Sequence, residues 1–212
     1  MIKVKVCGIT RREDAELAQQ LGAWAIGFVF YPESSAYVTP EKAFEISKGL
    51  TIKKVGVFVN ESVEKTEEIA KLLGLDIIQY HGSETPKELE KTNHAIIKAV
   101  SNLDTAESFK GNSKILGYLA DHVSDDKLCG GSGMLADWNF AKELKNRNPD
   151  KLLILAGGLN LSNIKDAVNT VHPDVIDISS GLSVDGIRSI KCEVKMRKFF
   201  QIIGDINNVI TG

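Results

Sequence analysis

Short runs of β-branched and apolar residues alternate with longer amphipathic stretches along the whole chain. This alternation predicts parallel strands joined by crossover helices. Eight strands close a barrel, so the pattern favours one (β/α)8 TIM barrel of the α/β class over residues 1–212, with an open doubly wound sheet as the alternative. The predicted strands are Ile2–Val6, Trp24–Phe30, Lys54–Val59, Asp76–Tyr80, Ala95–Val100, Ile115–Ala120, Leu152–Ala156 and Asp174–Ile178.

Three local signals predict helix boundaries that fit this division. Thr10, with Glu13 three residues later, has the spacing of a capping box, and Thr39 followed by Pro40 suits an N-cap before a first-turn proline. Gly22 after Leu21 is typical of a helix end.

Composition narrows the class of ligand. The chain has 26 basic and 28 acidic residues and a formal net charge of -2, which gives no general attraction for nucleic acid or anionic membranes. No apolar run approaches the roughly 20 residues that span a bilayer, and the first residues lack the apolar stretch of a signal peptide. Cys7, Cys129 and Cys192 have neither disulfide nor zinc-site spacing. These features predict a cytoplasmic protein with a small-molecule ligand and no metal.

In a barrel the functional residues follow the strands, at the C-terminal face. Cys7 lies at the end of the first strand, near the start of a helix that would favour its thiolate, and could act as a base or nucleophile. The alternative is a buried cysteine that serves as a small hydrophobe. Asp121 follows the sixth strand and could act as a general acid, or alternatively cap a helix.

Glycine-rich loops follow the last two strands. Gly157 and Gly158 come after the seventh strand, and Ser179, Ser180 and Gly181 follow the eighth. In many barrels these two loops bind phosphate through backbone N–H groups, because glycine lets the main chain come close. Either loop alone could be a simple turn, but together they predict a phosphate site.

Polar residues also follow the fourth and sixth strands. Gln79 is a neutral hydrogen-bonding group, and His81 is either a ligand contact or a structural histidine. Gly131 lies in the run Gly130–Gly133, which could fold over a bound ligand.

Seven motifs resemble those of the phosphoribosylanthranilate isomerase family, in that family's order and over nearly the whole chain. They are Lys5–Thr10, Gly27–Pro32, Val55–Asn60, Gln79–Gly82, Gly130–Gly133 with Asp137–Trp138, Ala156–Asn160 and Asp177–Gly181.

The resemblance implies a cofactor-free Amadori rearrangement in tryptophan biosynthesis, carried out by a monomer or homodimer. N-(5-phosphoribosyl)anthranilate would become 1-(2-carboxyphenylamino)-1-deoxyribulose 5-phosphate. Asp121 would protonate the furanose ring oxygen as general acid, and Cys7 would remove the proton from the sugar's C2 as general base. Substrate contacts would come from Gln79, His81, Gly131 and Asp177.

The chain departs from the family pattern at three places. Ala36 stands where the family usually has an arginine that holds the anthranilate carboxylate, which bears on substrate identity or affinity more than on reaction type; another arginine, such as Arg188, could reach in instead, although the sequence does not place it. The segment between Asp121 and Gly130 is longer than expected. Ser183 stands where a glutamate is expected.

Two alternatives to this isomerase remain open at the level of sequence. One is a related sugar-phosphate enzyme, but the isomerase of histidine biosynthesis would carry aspartate in place of Cys7, and ribulose-phosphate 3-epimerase would need metal ligands. The other is a non-catalytic barrel that binds a phosphorylated ligand. Such a protein has no reason to keep Cys7 and Asp121 in working geometry.

Overall fold

The fold is a closed barrel of eight parallel strands, seen in a computed structural model that describes residues 1–121 and 137–211. The strand order follows the chain, and β8 pairs with β1 to close the ring. The barrel prediction is therefore confirmed, and each predicted strand boundary lies within one residue of the observed one. The strands are β1 (Lys3–Cys7), β2 (Ala25–Val29), β3 (Lys53–Phe58), β4 (Ile77–Tyr80), β5 (Ala95–Val100), β6 (Ile115–Ala120), β7 (Leu152–Leu155) and β8 (Val175–Ile178).

Helices follow the strands and cover the outside of the barrel. They are α1 (Arg12–Gln20), α2 (Pro40–Ser47), α3 (Val63–Leu73), α4 (Pro86–Leu89), α5 (Leu103–Ser108), α6 (Trp138–Arg147), α7 (Ile164–Val171) and α8 (Glu193–Thr211). None of the described helices is both long and apolar enough to cross a membrane.

Two of the three predicted helix boundaries are confirmed. The side chain of Thr39 accepts a hydrogen bond from Lys42 N ahead of Pro40, and Gly22 follows α1 with a φ of 81°. The capping box at Thr10 is wrong: α1 begins at Arg12, and Thr10 Oγ1 instead donates to the carbonyl of Ser189. The local pattern assigned the Thr10 hydroxyl to a helix cap, but this hydroxyl forms its hydrogen bond with a distant segment of the chain.

The core has two layers because successive strand residues point to opposite faces of the sheet. The outer layer, between strands and helices, includes Val4 and Val6 of β1. The inner layer fills the barrel with Ala25, Val55, Ile77, Ile97, Leu119, Ile154, Ala156 and Val175.

A small antiparallel hairpin after β8 was not predicted. A short 3-10 helix (Ser180–Leu182) leads into β9 (Ser183–Val184), which pairs with β10 (Ile187–Lys191). Ser183 Oγ donates to the carbonyl of Arg188 at 2.8 Å. This hydrogen bond links the two strands of the hairpin, and that of Thr10 to Ser189 holds the hairpin beside the loop after β1.

Candidate active site

A cavity of about 160 Å³ opens at the C-terminal ends of the strands and brings together most of the predicted site residues. Its lining includes Cys7, Ala36, Gln79, His81, Asp121, Gly157, Gly158, Asp177, Ser179 and Ser180. Gly181 lies next to this lining in the 3-10 helix. Gly131 lies outside the described residues, so its predicted role stays a prediction.

A larger groove of about 510 Å³ lies between the loops after β3 and β4, and contains none of the predicted site residues. Its lining includes Glu61, Glu64, Glu84 and Glu88. A groove so rich in carboxylates does not suit an anionic ligand, so the cavity at the strand ends is the better candidate.

Cys7 lies inside the barrel because it is two residues from Lys5 on β1, on the face opposite Val4 and Val6. Lys5 is fully buried, and its Nζ lies 2.8 Å from Asp177 Oδ2 on the neighbouring strand. A side chain at Gly27 of β2 would place its Cβ 2.8 Å from Cys7 Sγ. Glycine at this position therefore makes room for the thiol.

The charges around Cys7 act on its thiol in opposite directions. Burial raises the pKa of Cys7 above its ordinary value, while Lys5 and Lys191 lower it and Asp177 raises it. Burial also opposes the charge on Lys5, but Asp177 and Cys7 outweigh it and raise the pKa of the ammonium. Lys5 therefore stays charged behind the sulfur.

Asp121, at the end of β6, is positioned by a short chain of side chains from β4. His81 Nε2 lies 3.4 Å from Asp121 Oδ2, and Gln79 Nε2 lies 3.0 Å from His81 Nδ1. Because the amide nitrogen of Gln79 can only donate, Nδ1 accepts and the proton sits on Nε2, facing the carboxylate. The side chain of Asp121 is 18% exposed, so it is held in place yet open to the cavity.

Two buried oxygens among the described residues have no hydrogen-bond partner: Gln79 Oε1 and Asp177 Oδ1. Both residues line the cavity. Buried polar atoms are normally satisfied, so these two acceptors suit the hydroxyl groups of a ligand.

The loops after β7 and β8 each contain positions that only glycine fits easily. Gly157 and Gly158 have φ of 80° and 60°, and the side-chain amides of Asn160 and Asn163 donate to the carbonyl of Gly158 at 3.1 and 3.0 Å. A Cβ at Gly181 would lie 2.0 Å from the carbonyl oxygen of Leu159. The two loops are thus packed against each other and open to the cavity.

The cavity is lined by an arginine as well as by Ala36. Ala36 is 7% exposed, and Arg188 of β10 lines the same cavity. Of the described residues in this lining, only Arg188 carries a permanent positive charge.

Sequence reasoning missed Lys5 and Lys191, which favour the charged form of the thiol without lining the cavity. The alternation Val4-Lys5-Val6 could have revealed Lys5, because it places a lysine on the inner face of a barrel strand. Lys191 belongs to the hairpin after the last barrel strand. The rule that functional residues follow the barrel strands gives no signal there.

Within residues 1–121 and 137–211, no group of three or more histidine, cysteine or carboxylate side chains could hold a metal ion. The predicted absence of a metal and of a cofactor stays a prediction.

Comparison with known proteins gives consistent similarities. The family model for N-(5'-phosphoribosyl)anthranilate (PRA) isomerase matches residues 4–202. The N-(5'-phosphoribosyl)anthranilate isomerase of Caldanaerobacter subterraneus subsp. tengcongensis is 42% identical over 207 residues, which cover 95% of this chain and 97% of the relative.

Solved structures show the same similarity. The phosphoribosyl anthranilate isomerase of Thermotoga maritima superposes with a TM-score of 0.81 at 35% identity, covering 95% of this chain and 98% of that one. A phosphoribosyl anthranilate isomerase in complex with reduced 1-(o-carboxyphenylamino)-1-deoxyribulose 5-phosphate superposes with a TM-score of 0.77 at 35% identity, covering 95% and 97%.

Proposed function

The chain belongs to the N-(5'-phosphoribosyl)anthranilate isomerase family, and we propose that Cys7 and Asp121 are the general base and general acid of its reaction. The activity is an aldose–ketose isomerisation in tryptophan biosynthesis, as the resemblance implied. No observation favours a related sugar-phosphate enzyme or a non-catalytic barrel. The observation that carries the proposed roles is that both side chains line one cavity, on strands from different parts of the ring.

Asp121 starts the reaction by protonating the furanose ring oxygen. The C1–O bond then breaks as the anilino nitrogen donates its lone pair to C1, which gives a Schiff base with a free hydroxyl at C4. His81 keeps the carboxyl group turned toward the cavity, since its Nε2 lies 3.4 Å from Asp121 Oδ2.

Cys7, as thiolate, then removes the proton from C2 of the sugar. The electrons of the C2–H bond form a C1=C2 double bond and neutralise the iminium nitrogen, which gives an enolamine. Transfer of a proton from the enol oxygen to C1 completes the aminoketose. Each proton-transfer group is worth about 10²- to 10⁴-fold in rate.

Backbone N–H groups of the loops containing Gly157, Gly158, Ser179, Ser180 and Gly181 hold the substrate phosphate. The positive φ at Gly157 and Gly158 and the close packing of Gly181 on Leu159 support this assignment. The unsatisfied oxygens of Gln79 and Asp177 accept hydrogen bonds from sugar hydroxyls.

Arg188 holds the anthranilate carboxylate in place of the arginine missing at Ala36. The substrate carries two anionic groups, and the cavity offers Arg188 as its permanent cation among the described residues. The hydrogen bond between Thr10 and the carbonyl of Ser189 draws the hairpin over the loop after β1, on the side of the barrel where β2 and Ala36 follow.

The chain is one (β/α)8 domain over residues 1–212, works without a cofactor as a monomer or homodimer, and acts in the cytoplasm. The single domain is supported by α8, whose Asn207 accepts from Ile2 N at 2.6 Å and donates to Ile2 O at 3.1 Å. These bonds tie the last helix to the beginning of the chain.

Steady-state turnover of freshly generated phosphoribosylanthranilate, followed by the loss of its fluorescence, tests the proposed roles. Cys7→Ser and Asp121→Asn should each lower kcat by about 10²-fold or more, while inhibition by inorganic phosphate is unchanged. Cys192→Ser and the exposed Asp166→Asn are matched controls, and both should turn over like the unmodified protein. Near-normal turnover of either site variant would overturn its role.

A further inference from the structure

Lys191 is a buried lysine that the steps above do not use. It ends β10 with 2% exposure, and its Nζ donates to the carbonyl and hydroxyl oxygens of Ser179 at 3.2 and 3.4 Å. Its backbone N–H donates to Asp14 Oδ2 at 3.1 Å. These bonds fix the ammonium group beside the loop after β1, where the Cβ position of Gly8 lies 3.6 Å from Nζ.

The other charges in this cluster are already matched in pairs. Lys5 pairs with Asp177 at 2.8 Å across β1 and β8, and Arg11 pairs with Asp14 at 2.6 Å at the start of α1. Lys191 Nζ makes its hydrogen bonds to neutral oxygens of Ser179. The cluster therefore carries one surplus positive charge while Cys7 is a neutral thiol, and is balanced when Cys7 is a thiolate.

Burial makes this surplus charge unfavourable for the fold. Burial lowers the pKa of Lys191 to about 8, although the Cys7 thiolate, Asp14 and Asp177 each favour its charged form. A buried ammonium without its own carboxylate is costly, and a side chain of similar length without charge would pack there more easily. Fold stability alone does not account for a lysine at this position.

We propose that Lys191 is a positioning residue whose ammonium group stabilises the thiolate of Cys7, so that the hairpin after β8 completes the catalytic base. The inference rests on the proposed role of Cys7. Lys5 and Lys191, from segments at opposite ends of the chain, both favour the thiolate of Cys7, and Asp177 pairs with Lys5. When Cys7 takes the C2 proton, the surplus positive charge returns, which favours the release of that proton in the next step.

The reactivity of Cys7 toward iodoacetamide tests this directly and does not require turnover. The alkylation rate of Cys7 is followed from about pH 6 to pH 10 by mass spectrometry of its peptide, with an added free cysteine peptide as the reference. Lys191→Met removes the charge, and Lys191→Gln removes it but keeps a hydrogen-bond donor for Ser179. Lys191→Arg keeps the charge, and Lys198→Met removes an exposed lysine of α8 as the matched control.

In Lys191→Met and Lys191→Gln we expect the rate of Cys7 alkylation at pH 7, where Lys191 carries its charge, to fall about tenfold. Turnover should fall by a similar factor through kcat, with little change in KM. Lys198→Met should match the unmodified protein, and Lys191→Arg should retain more reactivity than the two neutral variants.

An unchanged alkylation rate at pH 7 in both neutral variants would overturn the proposal. Recovery of normal reactivity in Lys191→Gln alone would also overturn it, because the role would then be the ordering of Ser179. Lys191→Gln also serves as the second neutral variant if Lys191→Met does not fold. Failure of Cys7 as the base is a separate result, since it would appear as normal turnover in Cys7→Ser.

Discussion

Lys5 and Asp177 are direct partners in the pairing of β1 with β8, and their side chains meet inside the barrel at 2.8 Å. The strand pairing itself brings this pair together behind Cys7. The second oxygen of Asp177 has no hydrogen-bond partner among the described residues, and Asp177 itself lines the cavity. Asp177 thus contributes both to the contact between β1 and β8, which closes the barrel, and to the lining of the candidate site.

Asp177→Asn should therefore affect both stability and catalysis. An amide cannot neutralise the fully buried Lys5, and breaking a buried ion pair from one side typically costs about 3–5 kcal/mol. Urea unfolding measures this loss against the exposed Asp166→Asn, which should change the free energy of unfolding by less than about 0.5 kcal/mol. A change of less than about 0.5 kcal/mol in the free energy of unfolding of Asp177→Asn would show that the ion pair with Lys5 does not stabilise the fold.

Lys191→Met should stabilise the protein at neutral pH, and the gain should shrink as the pH rises. The pKa of Lys191 falls from 10.5 to about 8 on folding, so between these values the unfolded chain binds a proton that the folded protein lacks. Stability of the lysine form then rises with pH, by about 1.5 kcal/mol between pH 8 and pH 9.5.

Urea unfolding across this pH range is best done in a Cys7→Ser background, which removes the neighbouring thiol. The difference between the methionine and lysine forms should narrow toward pH 9.5. A difference that stays constant with pH would mean that Lys191 carries no unfavourable charge in the folded state.

Arg188→Gln should weaken binding of the anthranilate carboxylate. Loss of one charged hydrogen-bonding partner costs about 1.5–3 kcal/mol, or roughly ten- to a hundredfold in kcat/KM. The comparison substrate is phosphoribosylaniline, which lacks the carboxylate. Its kcat/KM should fall little in Arg188→Gln. Equal losses on both substrates would place Arg188 at the phosphate instead.

Ala36→Arg should lower KM for phosphoribosylanthranilate and should compensate for Arg188→Gln when the two are combined. The reason is that a guanidinium can pair with a carboxylate through two parallel hydrogen bonds. Steady-state kinetics of the single and double variants measure this compensation. A double variant as poor as Arg188→Gln would contradict it.

Gly181→Ala should weaken phosphate binding with little direct effect on Cys7. The added Cβ would lie 2.0 Å from the carbonyl of Leu159 and would push the loops after β7 and β8 apart. The inhibition constant of inorganic phosphate should rise about tenfold or more. Gly204→Ala in α8, where a Cβ meets nothing within 4 Å, is the control and should leave that constant unchanged.

The barrel was predictable because its signal is local and repeated: apolar runs of strand length alternate with amphipathic helices. The residues at the strand ends were also predictable, since parallel strands present all their carboxyl ends on one face. Cys7, Asp121 and the two glycine loops come from this rule alone.

The parts that were missed depend on long-range contacts. Thr10 has the spacing of a helix cap, but its hydroxyl is taken by Ser189, far along the chain. Lys191 was missed, and Arg188 could be named but not placed, because both belong to a hairpin whose short strands have no alternating pattern. The apolar periodicity of the sequence does not predict where the side chains of such a hairpin lie relative to the barrel.

The central claim is that Asp121 opens the ring and Cys7 then removes the C2 proton. The most direct test is the kinetic isotope effect on kcat with phosphoribosylanthranilate deuterated at C2, measured in Cys7→Ser and in Asp121→Asn. The effect should be large in Cys7→Ser, where proton removal limits turnover, and close to one in Asp121→Asn, where ring opening does. The same effect in both variants, or the reverse order, would contradict the assignment.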